Sequence, residues 1–182
     1  MDRQPDVIVI RGAPGVGKSS TAKCLAGSFP GGARVEVDIL RKMVISVNWK
    51  KQDEHILMLD VAAGLVHDLA ESGFRPVIVV DTFSGDKVTR FLEVLRKQRE
   101  TRTFLVFSLH ASETSLQQRL HERPSDEFKD FEIAKKLNED IHRFPASGEW
   151  LIDTSRLSPD QTARHITQTI VSQPVDRGAD GT

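Results

Sequence analysis

The stretch VIVIRGAPGVGKSS, Val7 to Ser20, decides how this chain is read. Val7 to Ile10 is a continuous apolar run, as expected of a strand buried on both faces, and it leads into Gly12. From Lys18 to about Ser28, apolar Ala22, Leu25, Ala26 and Phe29 recur at helical spacing. Between strand and helix lies GAPGVGKS, with Gly12, Gly17, Lys18 and Ser19 at the spacing of a phosphate-binding loop. Its glycines permit a tight turn whose N–H groups point inward, and the helix N-terminus adds a positive dipole. Lys18 reaches the β and γ phosphates of a nucleoside triphosphate, and the Ser19 hydroxyl can ligate Mg2+. A chance match of the four key positions in an average chain of this length is on the order of 1%.

Working outward, Pro30, Gly31 and Gly32 break the first helix. Arg34 to Val37 reads as a second strand with Asp38 at its carboxyl end, and Ile39 to Val47 as a short helix. After the polar stretch Asn48 to Glu54, a long helix is expected from about His55 to Glu71, stopped by Gly73. Pro76 to Val80 is a strand followed at once by Asp81, and Val88 to Lys97 is a helix. Thr103 to Leu109 and Glu149 to Ile152 read as strands; Ser112 to Glu122, Phe131 to Arg143 and Pro159 to Val171 read as helices, the first capped by Ser112. Strands alternating with helices imply an α/β fold, a three-layer sandwich around a mainly parallel five-stranded sheet. Ligands of such sheets bind beyond the carboxyl ends of the strands, so Gly12, Asp38 and Asp81 are expected on one rim. Residues 1–172 read as one domain with a lid at about 120–135, and residues 173–182 as a loose tail.

Composition narrows the function classes. The 182 residues are 38% hydrophobic and 28% charged, ordinary values for a globular chain. No apolar run is long enough to span a membrane, and no secretory signal is read in Met1 to Asp6, so a cytoplasmic protein is expected. A net charge of -1 speaks against wrapping long duplex nucleic acid. Cys24 is the single cysteine, which excludes an internal disulfide and a Cys-based zinc site; it is expected on the buried face of the first helix.

Several other residues belong to the chemistry of a transferred phosphoryl group. Asp81 closes the run VIVVD and can hold Mg2+ directly or through water. Asp38, in VEVDILRKM, can accept the proton of an attacking hydroxyl, while Arg41, one helical turn on, can hold an anionic part of the acceptor. Arg119 and Arg123 lie four apart, expected on one helix face, just before the polar segment Pro124 to Asp130. Brought over the nucleotide, they would stabilise the charge of the moving group. The histidines show no ligand spacing and read as core or surface residues, His55 and His67 within a helix. Trp49 and Trp150 read as packing residues, with the lining of an acceptor or base pocket as the alternative.

With these residues in view, the chain resembles the P-loop kinases that phosphorylate hydroxyl groups, including shikimate and gluconate kinases, chloramphenicol phosphotransferase and polynucleotide kinase domains. The likeness runs from Val7 to about Val171 and rests on GAPGVGKSS, the Asp38–Arg41 spacing, VVDTFS at Val79 to Ser84, the two arginines and DTS at Asp153 to Ser155. It implies an ATP- and Mg2+-dependent transferase. Gly12, Ala13, Pro14, Gly15, Val16, Gly17, Lys18, Ser19, Ser20 and Arg119 would bind ATP, with Ser19 and Asp81 at the metal. Asp38, Lys18 and Arg123 would be catalytic, and Asp38, Arg41 and Asp81 would face the acceptor. The loop after Asp153 to Ser155 would approach adenine. Phe83 stands where asparagine is common in such kinases. The expected acceptor is a hydroxyl-bearing small molecule. The alternatives are a nucleic-acid or nucleoside 5' hydroxyl, or a regulatory nucleotide-binding ATPase; no Asn-Lys-x-Asp motif supports a GTPase.

Overall fold

Residues 4–100, 102–125 and 127–172 are described in this computed structural model of the protein; the expected tail lies outside them. Their elements, in chain order, are β1 (Val7–Gly12), α1 (Lys18–Ala26), β2 (Ala33–Glu36), α2 (Val37–Lys42), α3 (Gln52–Glu71) and β3 (Val77–Asp81). Then follow α4 (Lys87–Gln98), β4 (Phe104–His110), α5 (Glu113–His121), α6 (Phe131–Arg143), β5 (Trp150–Asp153) and α7 (Pro159–Ser172). The strands form one sheet in the order β2-β3-β1-β4-β5, and every pairing is parallel.

The apolar strands explain the layers. Alternate residues of β1 and β3 point to opposite faces of the sheet. Val7, Val9, Val77 and Val79 join Leu59, Ala62 and Val66 of α3 and Phe91 and Leu95 of α4 in one buried layer. Ile8, Ile10, Ile78 and Val80 join Ala22 and Leu25 of α1, Leu116 of α5 and Ile166 of α7 in the other. β1, covered on both sides, is buried along its whole length.

The second unit departs from its sequence reading. β2 stops at Glu36, so Asp38 lies in the first turn of α2 instead of closing a strand. Buried Val37 opens that helix, which ends at Lys42, well before Val47. A carboxylate in a first turn suits the helix dipole, and α3 likewise starts early, at Gln52, with Asp53 and Glu54 in its first turn. Cys24 is exposed, not buried. α1 turns Thr21, Ala22 and Leu25 inward, and Cys24, two positions from Ala22, falls on the opposite side. Ser112 caps α5 as expected, its side chain accepting from the N–H of Ser115.

Candidate active site

The phosphate-binding loop opens where β1 ends. At Gly12 a Cβ would stand 2.5 Å from the carbonyl oxygen of Leu109 and 2.7 Å from a Val16 methyl, so only glycine lets β1 and β4 run this close. Gly17, the N-cap of α1, has φ 96°, a left-handed conformation that glycine takes without a Cβ penalty. Ala13 and Val16 are buried and seat the loop on the core. Lys18 lies partly buried at the start of α1 and donates from Nζ to the carbonyl of Ala13 at 3.0 Å. Burial lowers its pKa to about 8, against the opposing pull of Asp38 and Asp81.

The rim brings the expected residues together. Asp38, Asp81 and Lys18 are close enough to alter one another's protonation, and the charges of Arg41 and His55 reach Asp38 as well. Asp38 is exposed, yet partial withdrawal of its carboxyl from water, and then the negative charge of Asp81, raise it above the usual aspartate value. Asp81 moves the other way. Burial works to raise it, but His55 and the N–H of Phe83 outweigh burial and keep it ionised. His55 Nε2 lies 3.3 Å and 3.1 Å from its two oxygens, and the Phe83 N–H donates to Oδ2 at 2.9 Å. Phe83 itself is buried at φ 46°, a strained conformation for a non-glycine residue, and packs on Phe91 with ring centroids 5.1 Å apart.

Glu36, His55 and Lys87 were absent from the sequence reading of the site. Ser19 Oγ donates to Glu36 Oε2 at 2.6 Å, so the carboxylate beside the loop serine is Glu36, while both oxygens of Asp81 are already engaged. The only available signal for Glu36 is its place two residues before Asp38. His55 comes from α3, remote in sequence from Asp81, and Lys87 from the start of α4. Trp49 is not a core residue: it is 46% exposed, and the Arg41 guanidinium lies 4.4 Å from the centre of its ring. Trp150 packs as expected, stacked on Phe107.

Arg119 and Arg123 occupy different settings. Arg119, in the last turn of α5, donates to Thr154 Oγ1 at 3.2 Å and to the carbonyls of Thr154 and Leu157, tying it to the loop after β5. Arg123 lies past the end of α5, beyond the C-cap Glu122, so the two do not share a helix face. It donates to the Phe128 carbonyl at 3.2 Å and pairs with Glu127 at 3.6 Å, and its charge reaches Lys18.

The donor set suits Mg2+. Ser19, Glu36 and Asp81 offer hard oxygens, while no group of three His, Cys, Asp or Glu among the described residues forms a metal cage by itself. Mg2+ takes one or two such oxygens, keeps waters and draws further ligands from substrate phosphates.

A parallel sheet in this order, with a glycine loop running from its central strand into α1 and an acidic rim beside it, is the P-loop NTPase fold as kinases build it. Residues 7–144 match the AAA domain family, more than half of the chain, and the chain belongs to that family. Among solved structures it is similar to the tunicamycin resistance protein of Deinococcus radiodurans, with 22% identity over 92% of this chain and 96% of the other, and a TM-score of 0.70. The shikimate kinase of Acinetobacter baumannii, in complex with shikimate, is 19% identical over 94% of this chain and 95% of its own, with a TM-score of 0.61. The APS kinase of Mycobacterium tuberculosis is 18% identical over 93% and 99%, with a TM-score of 0.66. No curated protein sequence matches. No described helix is long and apolar enough to cross a membrane.

Proposed function

We propose that this protein is an ATP-dependent kinase that moves the γ phosphoryl group to a hydroxyl of a small-molecule acceptor, with Asp38 as general base. The observation that carries the reading is the pairing of a free, raised Asp38 carboxyl with an ionised, fully engaged Asp81 on one rim beside Lys18. A base works best when its pKa approaches the working pH, and of the two carboxylates only Asp38 is both exposed and raised. The kinase neighbours support the same class of reaction.

In this reading the loop N–H groups and Lys18 hold the triphosphate, and Ser19, with Glu36 or Asp81 directly or through water, holds Mg2+. The ion, when bound, neutralises charge on the β and γ oxygens. Asp38 takes the proton of the acceptor hydroxyl as its oxygen bonds to the γ phosphorus. The bond from that phosphorus to the β–γ bridging oxygen breaks, and ADP leaves with the electron pair. Arg123, brought in by the segment 120–135 acting as a lid, stabilises the equatorial oxygens, and Arg119 orders the loop after β5 on the nucleotide side.

Incubation with γ-labelled ATP and Mg2+ against a panel of alcohols, nucleosides and 5'-hydroxyl oligonucleotides tests this. Label in a small alcohol is the expected outcome. Label only in oligonucleotides moves the acceptor to nucleic acid, and release of free phosphate alone leaves an ATPase.

A further inference from the structure

Strand β2 is one edge of the sheet, and α1 runs beside it in the opposite direction. Ser19 at the start of α1 meets Glu36 at the end of β2, Oγ to Oε2 at 2.6 Å. One turn further along α1 comes Lys23, and two residues back along β2, on the same face of the strand as Glu36, comes Arg34. Beyond this pair α1 ends, and Pro30 to Gly32 turn the chain into β2. Gly32 keeps the turn tight: a Cβ there would stand 2.7 Å from the Pro76 carbonyl oxygen, and its N–H donates to the Phe29 carbonyl at 2.9 Å.

A cavity of about 440 Å3 opens between these elements, within the size range of small-molecule pockets. Its floor is apolar, made by buried Ile78 and Phe29 with Ala26 and Pro30. Its two charged lining residues are both cations, Lys23 and Arg34. Lys23 takes part in no ion pair among the described residues. Arg34 reaches Glu36 Oε1 through Nε at 3.4 Å, and no ion pair among the described residues uses its Nη groups. One carboxylate therefore faces two cations, and Ser19 already holds its other oxygen.

We propose that this cavity is a second ligand site, apart from the phosphate-binding rim, and that it takes a small organic acid: a carboxylate on a compact apolar body. The body displaces water from Phe29 and Ile78, and the carboxylate lies between the Nη fork of Arg34 and the Lys23 ammonium. Neither a neutral apolar molecule nor a bare anion uses both halves of the site. The acid competes with Glu36 for Arg34, so a filled cavity leaves the carboxylate beside Ser19 less neutralised. It thereby lowers the Mg2+ concentration needed to bind an ATP analogue, and Mg2+ with the analogue tightens the acid in return. This link rests on the metal role given to Ser19 in the kinase reading; the binding itself does not.

Two measurements test it. Benzoate and hexanoate are titrated into the protein without nucleotide, at constant ionic strength, against benzyl alcohol, hexanamide and acetate, with the amide NMR shifts of Ala26, Phe29 and Gly32 as readout. The expected result is saturable shifts with the two apolar acids and at least about tenfold weaker binding of the three controls, as suits a charge-assisted bond combined with apolar burial. Lys23→Met and Arg34→Met should each weaken the acids by a similar factor, and Glu36→Gln, which removes the competitor for Arg34, should tighten them. Shifts absent at these residues, equal for the neutral controls, or unchanged in both Arg34→Met and Lys23→Met overturn the site. In the second measurement, the Mg2+ dependence of ATP-analogue binding is compared with and without saturating benzoate. A lower Mg2+ requirement, lost in Arg34→Met, is expected; an unchanged requirement overturns the link to Ser19 and keeps the ligand site. Failure of phosphoryl transfer to every acceptor counts against the kinase reading alone, since acid binding is measured without it.

Discussion

Burial displaces both Lys18 and Asp38 toward their neutral forms, the one downward and the other upward, and each displacement predicts a pH dependence. Burial brings Lys18 down to about 8 from 10.5, so in the free protein its charge is lost as pH rises through about 8. A bound triphosphate favours the charged form, so binding above that pH must take up a proton. The affinity for Mg2+ and a non-hydrolysable ATP analogue is therefore expected to fall by up to about tenfold per pH unit above about 8. Lys18→Met should bind weakly with a flat profile; an equally flat profile in the unaltered protein removes Lys18 from the phosphates. Asp38 gives the acid limb. Its carboxyl is raised, and it serves as a base only when ionised, so transfer should decline on acidification at a pH above the ordinary aspartate value. His55 acts through Asp81: His55→Ala removes the partner that holds both Asp81 oxygens and is expected to lower kcat while leaving nucleotide affinity near normal. Loss of nucleotide affinity instead would place Asp81 mainly at the phosphates.

At the scale of the element, the seating of α6 on the sheet turns on one buried arginine. Arg11 is fully buried at the end of β1, donating from Nη2 to the carbonyls of Ile141 and Phe144 at 2.8 Å and 2.7 Å, and from Nε to Ser108 Oγ at 3.3 Å. It thereby fastens the C-terminal turn of α6 to the sheet. Its charge also lies 3.2 Å from buried Glu149, whose own burial nonetheless raises its carboxyl. Arg11→Met leaves these carbonyls and Glu149 unpaired and is expected to cost about 3 kcal/mol in denaturant unfolding. Arg11→Met with Glu149→Gln should recover part of that loss, and no difference between the two would show that Glu149 is not the partner. Local patterns were legible in the sequence, and contacts between elements were not. The apolar runs of β1 and β3 and the Gly12–Ser19 loop announced themselves because each is a local pattern whose chemistry needs its own neighbours. Glu36, His55, Lys87 and Arg11 did not, because their partners Ser19, Asp81, Ser84 with Gln52, and the α6 carbonyls are mostly supplied by other elements. Asp38 was found at the right rim but on the wrong element, since Val37 turns inward and starts α2 one residue before it.

Over the whole molecule, α1, the loop and the rim carboxylates are joined to both buried layers, so nucleotide binding should be felt as global stability. Mg2+ and a non-hydrolysable ATP analogue at about one hundred times the dissociation constant are expected to add about 2.7 kcal/mol and raise Tm accordingly. Lys18→Met should abolish most of that shift. Transfer to a hydroxyl with Asp38 as base is reached directly by one measurement: single-turnover transfer from γ-labelled ATP to the best acceptor of the panel, in the unaltered protein and in Asp38→Asn. The expected result is a loss of at least about a hundredfold in the transfer rate, within the range typical of a general base, with affinity for the ATP analogue retained. Transfer in Asp38→Asn at the unaltered rate would contradict it.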